Sequence, residues 1–495
     1  MRRVQLLATL GIALGCGAPH GPRGAGPSAP AAAVEAPGFT ATRWVPARPT
    51  YAISTHTLRD AQRAIRDVVG SFGIPLGITE SDVARGFERV LGVDALSVEA
   101  LRAIGVDPEG GFAVFSDALD PTFAVHLSAP DALPAFFDKL HTRGMVSQSV
   151  VVDGTEIFSA SIGGGSAIAW VVQGDWLLVH LVFPGGHDDG KAWVAASTHH
   201  TAATWLDAWR WANTAGERLA KSPSLLGFVD LRGLVAASKA GASAVACLQA
   251  VNAVERVGFA FDGDGRRTGG RITFEVGAAA AGIASAVLPD PPGWMAAATS
   301  APLAAQWNLD LGRLAGWIAP CAAAIGSGRD LDDLRATGVR SARAFVTAVD
   351  LANTSGAGAV SVDLTSTRLV TDLLDKIPMR STLERDRTWS GVAGHHLGIP
   401  FGPAIDYVLD DHRALVAMGD GVMDAVLAPA RPVPTPLFAL DIAPAGLPRE
   451  VWAMLFDRLH VGPRMADLIR VWHDAHLSLT LDGTALVLEA HGNRR

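Results

Sequence analysis

Ser166 follows Gly163, Gly164 and Gly165, and a serine presented by glycines invites a nucleophile reading. A nucleophile elbow needs G-x-S-x-G, so that a strained turn lifts the hydroxyl out of the sheet, and that spacing is absent. No Lys-Ser/Thr follows the glycines and no G-x-G-x-x-G opens a helix, so the run does not cradle a phosphate. A loop is the plainer use of these residues. Histidines raise the question of a metal: His199-His200 and His395-His396 are adjacent pairs, and His187 precedes Asp188-Asp189. Neighbouring residues leave a helix or strand in different directions, so such a pair rarely gives two ligands to one ion. Neither H-E-x-x-H nor Cys-x-x-Cys occurs, and we expect no metal and no cofactor. Asp262-Gly263-Asp264-Gly265 opens like a calcium loop, but Arg266 and Arg267 stand where the next ligands belong and no Glu closes it. A hairpin turn is sufficient there.

Thirteen tryptophans against two tyrosines are the other unusual feature. Trp205 and Trp209, four apart, share one face of a helix, with Trp211 on another. Core packing is the plain reading of that spacing; an aromatic groove for a lipid or peptide is the sharper one. Cys247 and Cys321 have two readings, a disulfide in an oxidising compartment or two buried small apolar side chains, and the second is preferred.

The elements that would position these residues form a repeat. FAVHLSAPDALPAFFDKL at 123–140 meets VSVDLTSTRLVTDLLDKI at 360–377 without a gap, and the same shift lays IAWVVQGDWLLVHL (168–181) on IDYVLDDHRALVAM (405–418). A slightly smaller shift, 233, lays LRAIGVDPEGGFAVF (101–115) on LRATGVRSARAFVTA (334–348). Three segments in one order at nearly one offset indicate a tandem duplication. Asp138-Lys139 and Asp375-Lys376 recur in both copies and read as a solvated helix end. Strands come in hairpin blocks, with Asp-Gly at 153–154 as a turn signal. Helices are inserted between the blocks. Ser54, Asp230, Asp310 and Asp441 stand at strand-to-helix junctions, where their side chains would cap the new helix. The expected fold is α+β, two tandem pseudo-repeats of antiparallel sheet with helices packed on one face. The repeats span 49–290 and 298–495, joined by a connector at 291–297.

The chain has 495 residues, 49% hydrophobic and 18% charged, with a net charge of −8. That is enough apolar material for large cores. An acidic balance without basic clusters excludes nucleic acid as a partner. Residues 1–15 read as an export signal: Arg2 and Arg3, then an apolar stretch from Val4 to Leu14 too short to span a bilayer. Residues 16–48, rich in Pro, Ala and Gly, read as a disordered tether. Ala13-Leu14-Gly15-Cys16 resembles the lipobox of bacterial lipoproteins, with Ala13 and Leu14 departing from the usual residues. The resemblance implies acylation of Cys16; the alternative is an ordinary secretory leader with an incidental cysteine. Gly17 in place of Asp after the cysteine implies the outer membrane.

LRAIGVDPEGGFAVF, FFDKL and VVQGDWLLVHL also resemble a bacterial family of unknown function, exported or lipid-anchored, with repeated α+β halves. It implies an envelope location and duplication and brings no catalytic residues. The leading expectation is a lipid-anchored, non-enzymatic binding or scaffolding module of the cell envelope. It would face the periplasm or the cell surface, held by acyl chains on Cys16, with an envelope protein or an apolar ligand as partner. A periplasmic carrier of a lipid or peptide is the alternative, and a hydrolase the third.

Overall fold

The computed structural model describes residues 38–46, 48–69, 79–116, 118–142, 146–152, 154–163, 165–183, 190–198, 224–237, 254–263, 266–288, 298–324, 332, 335–353, 355–399, 402–429, 435–458 and 465–494. Cys16, His187, His199, His200, Trp205, Trp209, Trp211 and Cys247 lie outside them, as do the connector 291–297 and the side chain of Cys321. The chain divides into two compact units, residues 1–241 with 254–263, and residues 242–253 with 264–495. The division falls inside the 257–276 hairpin, ahead of the boundary at 290 read from the sequence.

The first unit contains β1 (Tyr51–Thr55), β2 (Phe112–Ser116), β3 (Thr122–His126), β4 (Ser147–Val152), β5 (Thr155–Gly163), β6 (Ser166–Gln173), β7 (Trp176–Val182), β8 (Leu225–Asp230) and β9 (Arg256–Gly263). Every pairing is antiparallel, in the spatial order β9-β8-β1-β2-β3-β7-β6-β5-β4. The α+β class is therefore right, but the helices do not keep to one face. Helices α1 (Leu58–Val68), α2 (Glu80–Leu91), α3 (Val98–Arg102) and α4 (Leu133–Thr142) precede β4, and α5 (Gly190–Ser197) follows β7. Leu58, Ala61, Leu101 and Leu133 from α1, α3 and α4 pack on Trp170 and Leu177. On the opposite face Val194 and Ala195 of α5 pack with Phe115, Ala124, Val171 and Leu178. The reason is legible in strands such as WLLVHLV at 176–182, apolar at successive positions and hence covered on both sides.

The core also reaches into the expected tether. Phe39, Ala41 and Val45 are buried in the same cluster as Phe115, around a short 3-10 turn at Thr40–Trp44. Three buried apolar anchors within seven residues outweigh a Pro/Ala-rich average, so the body begins by residue 38 instead of 49. Helix caps differ from expectation as well. Asp230 and Asp310 do accept from the backbone N–H groups of Gly233 and Arg313. Ser54 instead donates across the sheet to the Phe112 carbonyl, and Thr57 caps α1 in a reciprocal box with Asp60. Asp441 faces His476 on the neighbouring strand.

The second unit contains β10 (Arg267–Glu275), β11 (Leu303–Trp307), β12 (Val339–Asp350), β13 (Ser355–Leu364), β14 (Glu384–Trp389), β15 (Val392–Leu397), β16 (Ile405–Leu409), β17 (Arg413–Met418), β18 (Phe438–Ile442), β19 (Trp472–Asp482) and β20 (Ala485–Arg494). Their antiparallel order is β10-β20-β19-β18-β11-β12-β13-β17-β16-β15-β14. Helix α6 (Arg368–Leu374) and the single turn α7 (Arg380–Leu383) precede β14, and α8 (Val422–Leu427) follows β17. Met423 and Val426 of α8 cover one sheet face with Phe345 and Leu415. Trp452 of α9 (Arg449–Arg458) and Ile469 of α10 (Met465–Ile469) cover the other with Leu303 and Val346.

Pair by pair, the registers of the two sheets can be laid on each other. Thr122↔His180, Trp170↔Val179, Phe158↔Trp170 and Val152↔Thr155 become Ala359↔Ala417, Tyr407↔Val416, His395↔Tyr407 and Trp389↔Val392, each at the 237-residue shift. The 233 shift holds at Val106 and Val339, which face Leu127 and Leu364. It then slips. Phe112–Phe115 takes the register of Ala342–Phe345, not that of Phe345–Ala348. In the first unit a link, Asp107–Gly111, separates the helix exit from β2, whereas β12 runs on from Val339 through a bulge.

Candidate functional site

The positions where the two sheets differ most in chemistry lie on β3–β7 and on β13–β17 with α7. On the face under α4, Trp170 stacks between Phe137, at 4.5 Å, and Phe158, at 5.7 Å. The corresponding place in the second unit is polar. Tyr407 stands where Trp170 does and His395 where Phe158 does, with ring centroids 5.0 Å apart. Arg380, the first residue of α7, lies over the Tyr407 ring and donates to its hydroxyl at 2.9 Å. The residue before it, Met379, has a φ of 61°, left-handed backbone in a side-chain-bearing residue. The Tyr407 hydroxyl in turn donates to Glu384, and Arg380 also pairs with Asp375 at 2.6 Å. Asp375 is exposed, as read from the sequence, and its ion pair with Arg380 lies at the surface.

Burial first, and the Glu384 carboxylate second, push the Tyr407 hydroxyl up to about 12. Burial also acts to raise Glu384, but the bonds from Tyr407 and Arg380 outweigh it and hold the carboxyl below its usual range. The Glu384 bond raises Arg380. The cluster therefore keeps a neutral phenol and a fixed ion pair at neutral pH. It braces the sheet; it does not present a nucleophile.

At the end of the β3–β7 ladder His126 faces Asp107 at 3.0 Å through Nδ1 and Asp175 at 2.9 Å through Nε2, with Trp176 edge-on. A Cβ at Gly110 would lie 2.4 Å from the His126 side chain, so this glycine makes room for it. The matching pair in the second unit is Asp363↔Arg413. Asp363 accepts from Arg413 at 2.8 Å and from Arg343 at 3.0 Å, and Ser341 donates to it as well. The Arg343 side chain is fully buried. Burial works to raise Asp363; the Ser341 hydroxyl and the two guanidinium groups outweigh it and lower the carboxyl.

A groove of about 470 Å³ opens beside α5, lined by Gln148, Ser159, Ser161, Ala169, Val182 and Lys191 among others. Its size suits a small ligand, with hydroxyl, amide and ammonium groups beside methyl groups.

Of the residues singled out in the sequence, Ser166 begins β6 after a turn at Gly165, whose φ is 81°. His395 and His396 face opposite sides of β15: His395 lies 3.1 Å from Glu384, while His396 bonds Asp406 at 2.7 Å. No group of three His, Cys, Asp or Glu side chains among the described residues is arranged to hold a metal ion, and no helix among them is long and apolar enough to cross a membrane. Sequence reading missed Arg343, Asp363, Glu384 and Tyr407. The one available signal was the 237-residue shift, which sets Tyr407 against Trp170 and Asp363 against His126.

No family model and no curated protein matches the chain. Among solved structures it is similar to crystal form III of TP0453, at 7% identity, covering 48% of this chain and 79% of that one with a TM-score of 0.28. Crystal form I of TP0453 gives 8% identity, 50% and 81% coverage, and the same TM-score of 0.28.

Proposed function

We propose that this chain is a lipid-anchored binding or scaffolding module of the bacterial cell envelope, built from two tandem copies of one α+β module. The duplication is supported by the shared strand order and by registers that coincide pair for pair along β3–β7 and β13–β17. The anchor is supported by Arg2-Arg3, the apolar run to Leu14, and Cys16. Acyl chains on that cysteine bury enough CH₂ groups to hold the protein on a bilayer.

One observation carries the binding reading: the clustered polar side chains of the second sheet are engaged with one another. Tyr407, Glu384 and Arg380 form one closed set, and Asp363, Arg343 and Arg413 another. Such groups fix a rigid surface. A second reading, carriage of a small amphipathic ligand, draws on the groove beside α5.

The anchoring is tested by acyl labelling of the protein expressed in a Gram-negative envelope. The wild type takes up labelled fatty acid and fractionates with membranes, and Cys16→Ser abolishes both. Label retained by Cys16→Ser, or absent from the wild type, ends the anchoring reading. Native mass spectrometry of the extracted protein tests the rest. A protein-sized adduct supports the module, and a small amphipathic adduct supports the carrier.

A further inference from the structure

In each unit one edge strand, β4 or β14, occupies the same register, and the two are built in opposite ways. Ser147↔Ala160 to Val152↔Thr155 in the first unit become Glu384↔Leu397 to Trp389↔Val392 in the second. Among the described residues each is hydrogen-bonded along one side only, β4 to β5 and β14 to β15. The open side of an edge strand is a row of backbone donors and acceptors, and proteins commonly guard it with charge. β14 is guarded: it reads Glu-Arg-Asp-Arg-Thr-Trp, with Glu384 and Arg387 further tied to Arg380 and to the Trp389 ring. β4 reads Ser-Gln-Ser-Val-Val-Val, without a charge or a proline. Val150 is 39% exposed and Val151 68%, with Val146 just ahead of the strand at 61%.

We propose that β4 is an interface for a second copy of this chain, the two β4 strands pairing antiparallel to continue the sheet across a two-fold axis. This rests on the binding reading above, but not on the anchor. The occupant follows from charge and symmetry. An isologous contact sets a patch against itself, so a charge on the axis would meet its own copy. Centred on Asp386, β14 would set that carboxylate against its copy and Arg385 against Arg387; β4 sets only hydroxyl, amide and isopropyl groups together. Directly opposed residues of an antiparallel pair share a face, so the axis must pass beside a single residue near the middle of the strand. That residue is Ser149 or Val150. Centred on Ser149, Ser147 meets Val151 and Gln148 meets Val150; centred on Val150, Ser149 meets Val151 and Gln148 meets Val152. Either way each side chain meets an uncharged neighbour, and the unused backbone groups of both strands are satisfied at once.

The test uses the full chain extracted in detergent, with mass measured by sedimentation and light scattering. The wild type is a dimer, and Val150→Lys, which sets two ammonium groups at or beside the axis, weakens association roughly tenfold or more. A second measurement does not depend on that variant. Cβ atoms of directly opposed residues lie roughly 4.5–5.5 Å apart, close to disulfide range. Mild oxidation therefore links either Ser149→Cys or Val150→Cys into a covalent dimer, whereas Arg387→Cys on β14 and the wild type stay unlinked. A monomeric wild type overturns the pairing, as does a dimer that Val150→Lys leaves intact, or linking at Arg387→Cys equal to that at β4. None of these results touches the anchoring of Cys16, which acyl labelling decides separately.

Discussion

Trp170 and Tyr407 occupy one position in two sheets of matching register and are held by different physics. Trp170 sits in a stack of three rings, Phe137 and Phe158 on its two sides. Its stability comes from apolar area plus about 0.5–1.5 kcal/mol for each aromatic pair. Tyr407 keeps one stacked ring, His395, and replaces the other with the Arg380 guanidinium. Its hydroxyl then needs a partner, which Glu384 supplies. At the end of the ladder both units are polar, with opposite sign at the centre: His126 lies between two carboxylates, Asp107 and Asp175, and Asp363 between two guanidinium groups, Arg343 and Arg413. One backbone pattern thus tolerates either an apolar or a paired-ionic filling. What changes with the filling is the dependence on pH and on every partner being present.

That contrast can be broken experimentally, with hydrogen-exchange mass spectrometry of the full chain reading each unit separately. The largest loss is expected for Trp170→Ala, about 3–5 kcal/mol, from the cavity left between Phe137 and Phe158, confined to the first unit. Loss of protection spread equally over both units would refute the confinement. Asp363→Asn should cost the second unit about 3 kcal/mol or more, because Arg343 is fully buried and loses its carboxylate. An Asp363→Asn protein as stable as the wild type would mean that the ion pair is incidental.

Asp363 also sets a pH window. Its folded pKa is lowered, so its contribution is full above the unfolded carboxylate range, about pH 4, and is lost as pH falls through the lower folded value. Acid titration of the second unit should be shallower in Asp363→Asn. Tyr407→Phe keeps the ring and its stacking and removes only the hydroxyl. We expect a cost of about 1–2 kcal/mol, because Glu384 loses a donor inside the sheet. A neutral result would assign the position to packing, as at Trp170.

The smallest effect concerns His476, whose bond to Asp441 outweighs burial and raises it. Its contribution is full below about pH 6.5 and is lost as pH rises through the raised folded value. His476→Asn should remove that slope, worth about 0.5 kcal/mol for a partly exposed pair. A slope unchanged by the substitution would assign it to another group.

The α+β class, the antiparallel hairpins and the matched segments at 123–140 and 360–377 could be read from residue order alone, because alternation and turn chemistry are local. So could the opposite directions of His395 and His396, which follow from the pleat of any strand. The second layer of helices was foreshadowed by WLLVHLV at 176–182, but assigning α5 to the free face required the fold. Three things were decided only in three dimensions. Phe39, Ala41 and Val45 join the core although their flanks resemble a tether, because burial depends on what lies opposite and not on neighbours in sequence. The three-residue slip between Val106 and Phe112 is invisible to a gapless alignment, because a loop and a bulged strand reach the same ladder by different paths. Arg343, Asp363 and Arg413 lie far apart in the chain, and only strand pairing brings a buried guanidinium against the carboxylate that makes its burial tolerable.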